Sequence, residues 1–563
     1  MERTARGSRF RASRPKIRTG CITCKIRRVK CDEGKPSCHR CLSTERKCDG
    51  YARRSSTISE GLPQKLAVST AAISAAETRA LEFFFCTTSS CLAGFLDGAF
   101  WKRSVLQLSL SEPSIRLALA ALGSMHESEA SATAGNVSAS QAAIQMYAQA
   151  IGSTIDKAST GSLATSVVVM ASILFTCFEF LRRDSAAAAI HISSGINILR
   201  AWRHRSRVQH QGPWGQNYQS YEAYFLETEL APILTLFNLN ALEFGEFPRN
   251  RIILNAVDNR GPCLPGRFET LQEARVAFVD LVTASTDLLQ RLDNAVGSGA
   301  VPSPDAVTAS EGLREGFSHW KSSFDDLLAR RGSTWSKEER DAAAVIRISR
   351  LGAELGLAAY GISSECDWDH RLGDYEEICR VTESLLSDPT HYPDELSKSI
   401  SLDLGLIYPL HAVAWKCRHP RLRRKGLELL LRAPRQEWLL DTRQYHAIFS
   451  HIMTLEEEAI GRPESEHARI HDFHCVSQPG LSGDLFRHAV TLRTKPNGLD
   501  KPWRYTTHYI HVPMSASGGL PPSNLFSCRK WAWPEMTDPQ TARMLKSVVF
   551  GEFLKQDDFL NER

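Results

Sequence analysis

Two observations predict a mainly helical chain with a small cysteine-rich module at its amino end. From about residue 76 onward apolar residues recur at helical spacing, as at Ile115, Leu119 and Leu122 and again at Ala344, Ile348, Leu351 and Leu355. Before that point the chain is polar and basic, and six of its 15 cysteines fall between residues 21 and 48. The length of 563 residues leaves room for several folded units, and 42% hydrophobic with 23% charged residues excludes a disordered, collagenous or membrane-bundle chain. Net charge is only +5, but residues 1–54 hold 17 Lys/Arg against 5 Asp/Glu. A basic head on a mildly acidic body is the charge pattern of a chain whose head meets a polyanion.

Residues 1–20 read as a basic, unstructured arm with no apolar stretch of the kind a secretory signal needs. Arg11, Arg14, Lys16 and Arg18 in this arm are candidates for a nuclear-import signal, for phosphate contact, or for both. Residues 21–50 form the cysteine module, and 51–75 are a polar, small-residue linker. Residues 76–563 are expected to be one large helical domain. Ser111-Glu112-Pro113 has the form of a helix start, with a capping serine and an early proline. The uncharged stretch 158–178 is strongly apolar only over Val167–Phe178, too short to span a bilayer, and reads as a buried helix. Near the carboxyl end His488–Arg493 and Tyr505–Val512 partly alternate on either side of Asn497-Gly498, which predicts a short β-hairpin. Lys416–Lys425 is rich in cations and reads as the solvated start of a helix whose apolar side is Leu427, Leu430 and Leu431. His471-Asp472-Phe473-His474-Cys475 holds metal-ligand residue types but has no partner ligand elsewhere, so an ordinary strand or loop is expected. No sustained heptads follow the module, so a homodimer has no support in the sequence.

The clustered cysteines are Cys21, Cys24, Cys31, Cys38, Cys41 and Cys48, with the spacing C-x2-C-x6-C-x6-C-x2-C-x6-C. Adding 17 to the first three numbers returns the last three, so two similar half-sites follow one another. Thiolates select zinc, and a closed structural zinc site takes four of them in a tetrahedron. Two separate zinc sites need eight ligands. Six thiolates supply eight metal bonds if two of them bridge both ions, so the expected cofactor is two Zn²⁺ per chain. His39 lies between Cys38 and Cys41 but the ligand count is already complete, and it reads as a surface residue.

The stretch CITCKIRRVKCDEGKPSCHRCLSTERKCDGY closely resembles the fungal Zn2Cys6 binuclear cluster at the amino end of fungal transcription factors. The resemblance implies that Cys21 and Cys38 bridge, one zinc taking Cys21, Cys24, Cys31 and Cys38 and the other Cys38, Cys41, Cys48 and Cys21. It also implies that Pro36 shapes the loop between the halves. Lys25, Arg27, Arg28 and Lys30 then lie on a short metal-fixed helix that enters the major groove of double-stranded DNA and reads a CGG-type triplet. Arg28, with Arg27 beside it, is the expected base reader, since Arg bonds both O6 and N7 of one guanine. Lys25, Lys30, Arg40, Arg46 and Lys47 are candidates for phosphate contact, and Arg53 and Arg54 follow the cluster.

Two stretches of the body, residues 80–126 and 415–435, are similar to the fungal-specific transcription factor regulatory domain. The expectation is a nuclear, sequence-specific regulator of transcription, activating rather than repressing, whose body meets the transcription machinery or co-regulators, with a pathway-specific role in secondary metabolism among the readings the resemblance implies. The alternative is a zinc-dependent protein-interaction module or a repressor. No GxSxG, Walker A, HExxH or Rossmann glycine fingerprint is present, so no enzyme is expected.

Overall fold

The computed structural model describes residues 23, 24, 29, 31, 32, 34, 38–44, 48, 73–130, 137–206, 220–243, 262, 264–297, 304–358, 364–388, 400–438, 440–458, 469–479, 485–495 and 504–513. The chain separates into two units, Met1–Lys65 and Leu66–Arg563. The basic arm, the 51–72 part of the linker and the Asn497-Gly498 pair lie outside the described residues.

The larger unit is built from helices that share one continuous apolar core. Its first helix, Ala75–Phe83, starts where the Ser74 hydroxyl accepts the Glu77 amide at 3.1 Å. The next long helix, Pro113–Ala130, starts at the expected proline. Ser111 is not its cap. That residue ends the preceding Val105–Ser111 helix and its hydroxyl donates back to the Leu108 carbonyl at 3.2 Å, while the Glu112 carbonyl accepts the first bond of the new helix from Arg116. Ile115, Leu119 and Leu122 are fully buried on one face, as their spacing requires. Gly123 lets this helix close on Ala75–Phe83: a Cβ at that position would stand 2.1 Å from the Ala80 carbonyl oxygen.

The Val167–Phe178 stretch lies in the Thr165–Leu181 helix, where all but a few side chains are buried. Among the described residues no helix is long and apolar enough to cross a membrane. The helix is a core element instead, and Phe180 meets Trp438 and Phe237 edge to face in the middle of the unit. Trp438 lies in the turn between the last two strands of a small three-stranded sheet. β1 (Ile400–Ser401) pairs in parallel with β2 (Gln436–Glu437), which pairs antiparallel with β3 (Leu440–Asp441). Arg275 fastens this region to the front of the unit, with Nη1 2.5 Å from Asp97 and Nη2 2.6 Å from Asp403.

The carboxyl-terminal hairpin is present and larger than expected. β5 (Leu485–Thr494) and β6 (Arg504–Pro513) pair antiparallel, with His488 opposite Ile510 and Val490 opposite His508. A further strand, β4 (Ile470–Pro479), pairs antiparallel with β5 and completes a three-stranded meander. The His471–Cys475 segment is therefore a strand, and Phe473 and Cys475 alternate into the core. Its Cys475 sulfur sits 3.8 Å from Nδ1 of the buried His488, a contact inside the sheet.

The basic stretch 416–425 departs from expectation. Lys416, Arg418 and Arg423 are buried. Lys416 Nζ lies 2.9 Å from both carboxylate oxygens of Glu365 and 4.0 Å from the Trp415 ring centroid. Arg418 and Arg423 converge on Glu456 at 2.8 and 2.5 Å, and the Ile470 amide donates to the same carboxylate at 2.8 Å. Burial pushes the Glu456 carboxyl up, but the two guanidinium charges outweigh it and hold the group below its usual range. Arg424 and Lys425 remain outside, paired with Glu457 and Glu383. Leu427 and Leu430 face the core as expected, and Leu431 is exposed. Lys416, Arg418 and Arg423 thus form a buried tie between helices and β4, because acidic side chains far along the chain meet them, while at the helix start Arg421 and Arg424 are exposed and Lys425 is half-buried.

Candidate metal centre

The smaller unit has almost no apolar material. Among its described residues the core is Cys24, Cys38 and Cys41, each fully buried, with Val29, Cys31 and Cys48 packed against them. A unit of this size cannot hold a fold by burial alone and needs a cross-link. Disulfides do not supply it: Sγ of Cys24 is 3.7 Å from that of Cys38 and 3.8 Å from that of Cys41, where an S–S bond is about 2.05 Å. Those separations do suit metal. With a Zn–S bond of about 2.3 Å the edge of a tetrahedron is about 3.8 Å.

The local backbone explains how these sulfurs converge. Cys38 stands at the amino end of the short helix His39–Leu42 in an extended conformation, and its sulfur accepts the Cys41 amide at 3.4 Å. The C-x2-C spacing thereby turns both sulfurs inward from one helical turn. Cys24 lies 17 residues before Cys41, at the corresponding place of the first half, and its carbonyl accepts the Val29 amide at 3.1 Å. Cys31 comes within 4.8 Å of Cys38 together with a carboxylate oxygen of Asp32. Cys48 is half-buried against the cluster.

Asp32 was not singled out by the sequence. Its carboxylate accepts the His39 amide through Oδ2 and the Arg40 amide through Oδ1, both at 2.8 Å. The Arg40 amide is the largest cause holding the Asp32 carboxyl below its ordinary value. A signal was available in the repeat, because Cys31-Asp32 recurs as Cys48-Asp49. His39 and Arg40 are exposed on the short helix. Cys21, Lys25, Arg27, Arg28 and Lys30, like Lys35, Pro36, Arg46, Lys47, Arg53 and Arg54 and the arm residues Arg11, Arg14, Lys16 and Arg18, lie outside the described residues. Five of the six expected ligands are therefore described, and Cys24, Cys38 and Cys41 are brought together with Cys31 beside Cys38.

Residues 19–58 match the family described as the fungal Zn(2)-Cys(6) binuclear cluster domain. Over 429 residues the chain is 26% identical to the aspercryptin biosynthesis cluster-specific transcription regulator atnN of Emericella nidulans, covering 68% of this chain and 67% of that one. It is 30% identical over 209 residues to the transcription regulator lscL of Purpureocillium lilacinum, a match that spans 33% of this chain and about half, 49%, of that protein. The transcriptional regulatory protein moc3 of Schizosaccharomyces pombe is 56% identical over 36 residues, 6% of this chain and 7% of that one. No solved structure matches the chain. All three relatives are named as regulators of transcription.

Proposed function

We propose that the chain, which carries a fungal Zn(2)-Cys(6) binuclear cluster domain at residues 19–58, is a nuclear, sequence-specific DNA-binding regulator of genes transcribed by RNA polymerase II. The observation that carries this reading is the buried Cys24, Cys38 and Cys41 sulfur cluster at metal-edge spacing, in a segment whose sequence places four cations between Cys24 and Cys31. On this reading two Zn²⁺ ions are held by Cys21, Cys24, Cys31, Cys38, Cys41 and Cys48, with Cys21 and Cys38 shared. The metal supplies a structural cross-link and takes no part in any bond-making step.

The chain's own residues then do the recognition. Arg28, with Arg27 beside it, reads guanine in a CGG-type triplet, and Lys25 and Lys30 fix the register on phosphates. Six thiolates and two Zn²⁺ carry a formal charge of −2, and the surrounding cations offset it as well as meeting the DNA. The body contributes regulation and contacts with the transcription machinery, and its Lys416, Arg418 and Arg423 are engaged by buried acidic partners. Control of a single biosynthetic pathway is supported by the relative whose name ties it to one biosynthetic cluster, and activation by the family resemblance alone.

Selection of the full chain on a random duplex library tests the reading. Enrichment of CGG-type triplets is the expected result, one triplet for a monomer and two at fixed spacing for a dimer. A bound pool without sequence enrichment would leave a zinc-dependent protein-interaction module in its place.

A further inference from the structure

The carboxylate of Asp32 leaves the first half of the cysteine module and closes on the second. It follows Cys31, the last cysteine of the first half, yet both of its oxygens are spent on the His39 and Arg40 amides, seven and eight residues onward. Those amides open the His39–Leu42 helix, whose cap is Cys38 and whose interior carries Cys41. The Cys38 sulfur takes the next amide, that of Cys41. Three successive N–H groups at this helix start are thus met by side chains, two by Asp32 and one by a ligand sulfur, the Cys41 amide also reaching the Cys38 carbonyl at 3.1 Å.

We propose that Asp32 is a positioning residue that couples the two half-sites: from the Cys31 side it holds the backbone that presents Cys38 and Cys41 to metal. The proposal rests on the zinc reading given above. It differs from a ligand role for Asp32, which the nearness of its carboxylate to the Cys31 and Cys38 sulfurs could suggest. Each oxygen already accepts a 2.8 Å bond from a backbone amide, so the carboxylate acts through the backbone of the second half. Groups that orient metal ligands in this way typically contribute a factor of about 10–100 in metal retention.

The test uses the full chain loaded with zinc, a chromophoric chelator in excess, and the variants Asp32→Asn and Asp32→Ala. Asn keeps one acceptor oxygen and Ala keeps none. One of the two zincs should leave about 10-fold faster in Asp32→Asn and up to about 100-fold faster in Asp32→Ala. In the Co²⁺-loaded proteins the ligand-field bands should stay at all-sulfur positions in both variants. An Asp32→Asn chain that releases zinc at the wild-type rate overturns the proposal whatever the Ala variant does, and cobalt bands that move on substitution overturn it in favour of ligation. A wild-type chain that holds fewer than two zincs removes the zinc reading itself. Two zincs with unchanged release remove only the role of Asp32.

Discussion

Lys416 Nζ sits midway between the two carboxylate oxygens of Glu365, 2.9 Å from each, and both side chains are buried. The same ammonium donates to the His471 carbonyl at 3.1 Å, so an α-helix, a 3₁₀ helix and a strand from three separate stretches meet at one charge. Removing the counter-charge strands the ammonium. Glu365→Gln is expected to destabilise the body by about 3–5 kcal/mol, because breaking a buried pair leaves an uncompensated charge. Chemical denaturation of the two full chains reads the difference, and a loss below 1 kcal/mol would show the pair to be solvated after all.

Acid should loosen the body through its buried imidazoles. Burial pushes His126 down to about 4, with its Nδ1 3.0 Å from the Thr88 hydroxyl. The unfolded chain takes up that proton near 6.5, so the folded state binds fewer protons between about pH 6.5 and 4. The stabilisation is complete above pH 6.5 and is lost as pH falls toward 4. At pH 5 the loss from this one group is about 2 kcal/mol. His126→Gln should shrink the difference in stability between pH 7 and pH 5 relative to wild type. Comparing the two proteins cancels the buried carboxyls of Glu437 and Asp403, which burial raises to about 7 and which pull the slope the other way. An identical pH difference in both proteins would remove His126 from this role.

How much of this was readable in advance depended on whether the partners of a residue sit close in the sequence. The cysteine module was legible because its ligands repeat at a fixed offset, and the Pro113–Ala130 helix because Ile115, Leu119 and Leu122 mark one face of it. The fate of Lys416, Arg418 and Arg423 was not, since Glu365 and Glu456 approach from 33 to 51 residues away and no local pattern announces them. β4 was unassigned for a related reason: only Phe473 and Cys475 carry its apolar alternation, and its hydrogen-bonding edge is supplied by β5. Asp32 is marked in the sequence by the recurrence of Cys31-Asp32 as Cys48-Asp49 alone, since the backbone amides it bonds leave no trace in side-chain spacing.

The repeat extends one residue beyond the cysteines. An offset of 17 maps Asp32 onto Asp49, and residues 39 and 40 onto 22 and 23. Asp49 lies outside the described residues, so the expectation rests on the repeat alone. Asp49→Asn should speed zinc release from the first half as Asp32→Asn does from the second, and the double variant should lose both ions in one fast phase. Zinc release from Asp49→Asn at the wild-type rate would show that the two halves are not equivalent in this respect.

Base reading by Arg28 has a separate signature. Arg28→Ala should weaken binding to a selected duplex by about 1–3 kcal/mol and relax the preference at one base of the triplet. Lys25→Ala and Lys30→Ala should instead weaken all sequences alike and reduce the dependence on salt by about one ion each. Binding measured against single-base variants of the duplex, at several salt concentrations, separates the two patterns. An unchanged base preference in Arg28→Ala would assign the reading to another side chain.

The most direct test joins the metal to the DNA. Binding of the full chain to its selected duplex is measured before chelation, after chelation, and after zinc is restored under reducing conditions. The structure of the cysteine cluster predicts that binding disappears with the metal and returns when two zincs per chain are replaced. Sequence-specific binding that survives complete removal of zinc would contradict it.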